Sequence, residues 1–264
     1  MENKKASKVY EELLSRQDYL VVQANDLAKA FGNLKAFEHK ILDFCFSYIT
    51  KESQASDTFT LDAISIFKHF GLTKNGQNYR RVAEAFKTLN ENTALYLPIT
   101  KENGTKGIVM TQLFSEIIFD EKGKIDFKFS SRAIPLIFDL KKNFYSFHLR
   151  ELTTIKSKYG LILLKLWESN RFGEKRNTVI NGTMEEWQEW FLGKKKKWSA
   201  GRFKQKVLQV ASEEIESKLD VDIMITTHKR GREVIGYEMI IVDNRQNRPV
   251  DFYRDIKNGE ISLF

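Results

Sequence analysis

Residues 194–232 hold this sequence's densest set of side chains able to grip a polyanion. Eleven Lys or Arg stand there against five Asp or Glu, an excess that is most of the chain's formal net charge of +8. They bracket a stretch, 199–218, whose apolar spacing predicts a helix. At about 100° per residue, Phe203, Val207, Leu208, Val210, Ala211 and Ile215 share one arc, and Arg202, Gln205, Lys206 and Gln209 take the opposite one. Arg and Gln are the side chains suited to bidentate contacts with guanine and adenine edges. Lys204 falls among the apolar positions and is expected to extend toward phosphate rather than read a base. Glu213 and Glu216 continue the polar face with the wrong charge for DNA, so the amino-terminal half of this helix should enter a groove. Lys196 and Lys197 just before it, Ser199 at its first position, and Lys229, Arg230 and Arg232 at a turn after it would hold phosphates on either side.

A weaker set lies in the first half, where Lys74, Asn78, Arg80 and Arg81 sit on or beside a helix at about 78–90. Glu84 and Glu91 dilute its charge, so an ordinary solvated helix face explains it as well as DNA contact does.

Catalytic constellations are not found. DNA nicking in rolling-circle replication needs a tyrosine nucleophile and a histidine-held metal, commonly on a close His-x-His pair. His39, His69, His148 and His228 are far apart; the first two are expected on helix surfaces and the last in a basic turn. No phosphate-cradling Gly-x4-Gly-Lys-Ser/Thr stretch occurs, and no Asp/Glu group has metal-ligand spacing. The expectation is a protein without enzymatic activity, cofactor or metal. Cys45, the single cysteine, sits in the apolar stretch 41–46 and reads as a buried small hydrophobe.

The elements that would position the basic helix recur in both halves. In the first, a helix over 34–50 carries Phe37, Ile41, Phe44, Cys45 and Tyr48 on one face. A shorter helix over 61–70 stops at Gly71, and the 78–90 helix turns Val82, Ala85, Phe86 and Leu89 inward. Extended stretches follow at 94–97, 107–119 and 124–129, the last two joined by a hairpin turn at 121–124. In the second half, helices at 148–156 and 158–170 precede Thr183-Met-Glu-Glu186, a capping-box pattern opening a helix to Leu192. The basic helix comes next, then strands at 221–226 and 236–242 around the turn 228–232. Helix, helix, turn, helix and hairpin is the winged-helix order, with the last helix in the major groove and the hairpin beside it. The fold class is therefore α+β, two tandem winged-helix domains. Their expected limits are 1–142, for dimerisation and accessory DNA contacts, and 143–246, for the main recognition. A polar tail follows at 247–264, although Ile261-Ser-Leu-Phe264 could dock.

At 42% hydrophobic residues, with 20 Phe and 4 Trp, the chain can fill real cores. Its first residues lack the apolar run of a secretory leader and no segment is apolar enough to span a bilayer, so a cytoplasmic protein with no membrane partner is expected.

The segment Phe203-Lys-Gln-Lys-Val-Leu-Gln-Val-Ala-Ser-Glu-Glu-Ile-Glu-Ser-Lys-Leu-Asp-Val-Asp222, with the basic wing at Gly231-Arg232, resembles the second winged helix of plasmid replication initiators. Residues 145–167 are similar to that family's opening of the domain, and Val21 to Leu27 with Glu38 to Leu42 to its amino-terminal start. The combination covers most of residues 15–243. The resemblance implies theta-type replication: binding of repeated origin sites (iterons) in double-stranded DNA, local melting, and recruitment of host replication proteins such as helicase. It also implies a homodimer in at least one state, able to repress its own gene. A winged-helix transcription regulator without a replication role is the alternative, since local physics does not separate the two. A protein-binding scaffold would leave the basic focus unexplained.

Overall fold

The computed structural model describes residues 20–24, 31–49, 53–54, 56–100, 102–104, 106–133, 136, 144–171, 175–193 and 196–245. The expected leader-free start, the domain limit at 142/143, the tail at 247–264 and Lys194 and Lys195 lie outside them.

The first half runs α1 (Ala36–Phe46), β2 (Phe59–Asp62), α2 (Ala63–Phe70), α3 (Gly76–Asn92), β3 (Ala94–Thr100), β4 (Lys106–Gln112), β5 (Phe114–Phe119) and β6 (Lys124–Phe129), preceded by β1 (Leu20–Ala24). Local chemistry sets the boundaries. Asp62 accepts a hydrogen bond from the Ile64 amide and so starts α2 two residues later than expected, leaving Leu61 in a strand. Gly71, at φ 63°, ends it in the left-handed conformation. Strand β2 pairs with β6, and β6 with β5, placing Phe59, Phe114, Phe127 and Phe129 in one aromatic cluster under the helices. The extended stretch expected as one strand over 107–119 is two, β4 and β5, separated at the buried Leu113.

The second half repeats this order: β7 (Phe144–His148), α4 (Leu149–Thr154), α5 (Lys158–Asn170), β8 (Asn177–Thr183), α6 (Met184–Leu192), α7, β9 (Val221–Arg230) and β10 (Glu233–Asp243). Helix α7 is three joined segments, Ala200–Phe203, Lys204–Leu208 and Gln209–Lys218. The sheets share one topology, β2-β6-β5 in the first half and β8-β10-β9 in the second, and the β3-β4 hairpin is an insertion found in the first alone among the described residues. Strands β7 and β8 were not expected. In β8, Asn177-Thr-Val-Ile-Asn-Gly-Thr183 is polar except at two positions, and only Thr178 and Ile180 are buried.

The halves are joined by more than the connecting chain. Strand β1 pairs antiparallel with β7, from Leu20↔His148 to Ala24↔Phe144. Helix α1 packs on α4 and α5. There the Lys165 ammonium lies 2.7 Å from the Asp43 carboxylate, both nearly inaccessible, and 3.3 Å from Nδ1 of His39. Two expectations are corrected here: His39 and His69 are buried, not surface residues. Burial, reinforced by Lys165 and Lys158, holds the His39 pKa well below its ordinary value. His69 is wedged between the rings of Phe44 and Phe70. Cys45 is buried as expected.

Candidate nucleic-acid interface

Arg202, Gln205, Lys206 and Gln209 are all exposed, on the outer face of α7. The inner face carries Phe203, Val207, Leu208, Ala211, Ser212 and Ile215, all buried. Val210 departs from expectation, being 37% exposed instead of buried. The reason is local. Residues 204–208 form a π-helical turn, in which the Gln209 amide reaches back five residues to the Lys204 carbonyl. Such a turn takes up an extra residue and rotates everything after it relative to a regular helix. Ser212 is carried into the core and Val210 out of it, onto the face of Arg202 and Lys206.

The helix is held at both ends. At its start, Tyr237 of β10 donates from its hydroxyl to the Ala200 carbonyl at 2.9 Å, while its own carbonyl accepts from the Trp187 indole at 2.9 Å. The preceding loop is pinned by Gln188, whose side-chain carbonyl accepts from the Trp198 amide at 2.6 Å and whose NH2 donates to the Trp198 carbonyl at 2.9 Å. The Trp198 ring lies under Arg202, 4.4 Å from guanidinium carbon to ring centroid. Stacking of this kind uses the flat face of the guanidinium and leaves its in-plane N–H donors for another partner. At the far end, Glu214 accepts hydrogen bonds from the Lys156 and Ser157 amides and from the Ser157 hydroxyl, fastening α7 to the start of α5. A Cβ on Gly160 would overlap that carboxylate. Ser199, exposed at the N-cap, makes no capping hydrogen bond with its side chain.

The β9-β10 hairpin outruns its sheet. Pairing of β10 with β8 stops at Gly236↔Thr183, whereas pairing with β9 continues to Glu233↔Arg230. Beyond that point a two-stranded ribbon projects, turning at Gly231 with φ 61°, and Lys229, Arg230 and Arg232 are exposed at its tip. Lys204, expected near phosphate, instead donates to the Thr227 hydroxyl of β9 at 3.2 Å and ties the wing to the helix. Lys196 and Lys197 are exposed in the loop before α7. Lys197 is paired with Glu185 at 2.9 Å, both side chains 73% exposed, so water already screens the pair and a phosphate can replace the carboxylate at little cost. All ten of the contacts expected in this half are exposed: Lys196, Lys197, Ser199, Arg202, Gln205, Lys206, Gln209, Lys229, Arg230 and Arg232. Sequence reasoning missed the residues that position them: Trp198, Gln188, Tyr237 and Glu214. An aromatic four residues before an Arg at a helix start was the available clue to Trp198.

The first-half set is less free. Lys74, Arg80 and Arg81 are exposed, Arg81 with its guanidinium over the Phe37 ring at 4.0 Å. Asn78 is half-buried and donates to the Thr73 carbonyl at 2.7 Å, so its amide already serves the loop that starts α3. Among the described residues no group of three or more His, Cys, Asp or Glu could hold a metal, and no helix is long and apolar enough to cross a membrane.

The profile of the family described as initiator replication protein, WH1, matches residues 20–168, and that described as initiator Rep protein, WH2, matches 183–241. No curated protein sequence is a significant match. Among solved structures, the chain is similar to the Pi initiator protein in complex with iteron DNA, at 17% identity and a TM-score of 0.68 over 87% of this chain and 99% of that one. It is also similar to domains 2 and 3 of RctB, at 14% identity and a TM-score of 0.50 over 81% of this chain and 84% of that one. At these identities the likeness is one of fold.

Proposed function

The chain belongs to the initiator replication protein family, with its WH1 and WH2 modules, and on that premise we propose that it starts plasmid replication by binding repeated sites in double-stranded origin DNA. The observation that carries this reading is the exposed α7 face of Arg202, Gln205, Lys206 and Gln209, preceded in the chain by the exposed Lys196 and Lys197 and followed by an exposed basic wing tip. Helix α7 enters the major groove, Arg202 and the two glutamines read base edges, and the lysines and the wing hold the backbone. The Pi initiator, similar in fold over almost its whole length, is bound to iteron DNA in its crystal structure, which agrees with this use of the fold. The family placement favours an initiator over a transcription regulator. The protein acts by binding, with no chemistry of its own, in the cytoplasm.

The division of labour follows the two halves. Residues 143–246 supply the main recognition, and residues 1–142 supply accessory contacts through Lys74, Asn78, Arg80 and Arg81 and a surface for a second copy. Strand β5 is the outer strand of its sheet, and Ile118 and Phe119 on it are 49% and 37% exposed, as is Met110 nearby in sequence at 73%. An open strand edge with apolar side chains suits pairing across a homodimer. Melting of the origin and recruitment of host helicase follow from assembly on the repeats. Footprinting on the plasmid's own origin tests the reading: regularly spaced, directly repeated protections support it, and protection limited to one promoter palindrome would favour a regulator.

A further inference from the structure

The structure places an apolar side chain on a face otherwise built for polar contacts. Val210 is 37% exposed among polar neighbours: Lys206 four residues before it, Arg202 four before that and Gln209 next to it are all exposed. It reaches that face through the π-turn at 204–208, without which it would lie on the apolar arc beside Phe203 and Val207. Arg202 to Val210 spans eight residues, about 12 Å along a helix axis, the length of roughly three to four base-pair steps. On a helix lying along the major groove, Val210 therefore faces a base pair that Arg202 does not reach. The apolar feature of the major groove is the thymine C5-methyl, which branched aliphatic side chains can cover and which cytosine and the purines lack. A valine there would also exclude water from that methyl without asking for a hydrogen bond.

We propose that Val210 is a specificity-determining residue that reads a thymine by its methyl group, a few base pairs from the pair read by Arg202. The proposal rests on the reading of α7 as the groove-bound helix and adds a base that its polar side chains do not recognise.

The test uses the full chain and the duplex site selected by it, with each thymine replaced in turn by deoxyuridine, which lacks only the methyl. Loss of one buried methyl corresponds to about a fourfold weaker Kd. One position should show that penalty with the wild-type chain and none with Val210→Ala, while the two proteins bind the deoxyuridine duplex equally and keep their penalties elsewhere. Ala is the better helix former at an exposed position, so the variant should fold. If no thymine shows a penalty, or if the penalty persists unchanged in Val210→Ala while site-specific binding is intact, Val210 does not read the methyl. If the wild-type chain prefers no sequence over random duplex, the groove-bound reading itself fails, and this proposal with it.

Discussion

Arg202 combines exposure with restraint: its guanidinium rests on the Trp198 ring, and Trp198 is fixed through its backbone by both ends of the Gln188 amide. A side chain so restricted loses less freedom on binding than a free arginine does. Arg202→Ala should weaken binding to the cognate site by about 1–3 kcal/mol and relax base choice at one position. Lysine at 202 should not restore the choice, because an ammonium cannot bond two acceptors in a fork. Equal losses on cognate and random duplex would place Arg202 on phosphate. Trp198→Leu should cost roughly 0.5–2 kcal/mol on the same site and add almost nothing in an Arg202→Ala background. Additive losses in that double-mutant cycle would show that Trp198 acts by another route. The exposure of Arg202, Gln205, Lys206 and Gln209 was legible in the sequence because charge and amide groups stand out by type. Trp198 was not, since a tryptophan's role depends on what it stacks against.

At the scale of elements, the wing and the far end of α7 make separate demands. Among the described residues no third strand pairs with the ribbon beyond Gly236, and its exposed tip is the proposed contact with the DNA backbone. Arg230→Ala should weaken binding to all duplexes alike and lower the slope of log K against log salt by about one unit. An unchanged slope would remove the wing tip from the interface. Gly160 gives the Glu214 carboxylate room at the start of α5, and Gly160→Ala should displace it. Unfolding in urea should then show a loss of about 1–3 kcal/mol; stability within error of wild type would mean that Glu214 finds equivalent partners. The helices and hairpins of both halves were readable from period and capping, as Thr183 with Glu186 illustrates, a box present in the structure. The π-turn was not. Nothing in Lys-Gln-Lys-Val-Leu announces it, and it shows only in its effect, with Ser212 buried and Val210 exposed where a regular helix would do the reverse. Strand β8 was hidden for a related reason, since a mostly polar segment becomes a strand only because β10 lies alongside.

The molecule as a whole depends on a buried polar seam that no sequence pattern marks. Asp43, Lys165 and His39 are polar residues on apolar helices, and each alone reads as a surface position; they are buried because α1 and α5 press those faces together. Burial keeps His39 neutral in the folded chain, whereas the unfolded chain protonates it near pH 6.5. The unfolded state therefore binds the extra proton below that pH, and stability falls as pH falls, by at most about 1.4 kcal/mol per unit. Glu168, pushed up to about 7 by its own burial, acts in the opposite sense as pH drops toward its ordinary value. The contribution of His39 is thus isolated by comparing wild type with His39→Gln: urea unfolding between pH 8 and 5 should show a larger loss for wild type. Parallel curves would mean that the seam opens to water before His39 titrates. Two modules whose relative placement rests on such a seam can present two surfaces to one long composite site, which a simple palindromic dimer cannot.

Whether α7 reads the sequence of origin DNA is tested by selection of bound sites from random duplex DNA at fixed salt, followed by footprinting of the selected sequences. An initiator that reads DNA through α7 should select one asymmetric motif about two helical turns long, found as direct repeats in the plasmid's origin, with base choice relaxed at one position in Arg202→Ala. Recovery of a short palindrome, or of no motif at all, would contradict that reading.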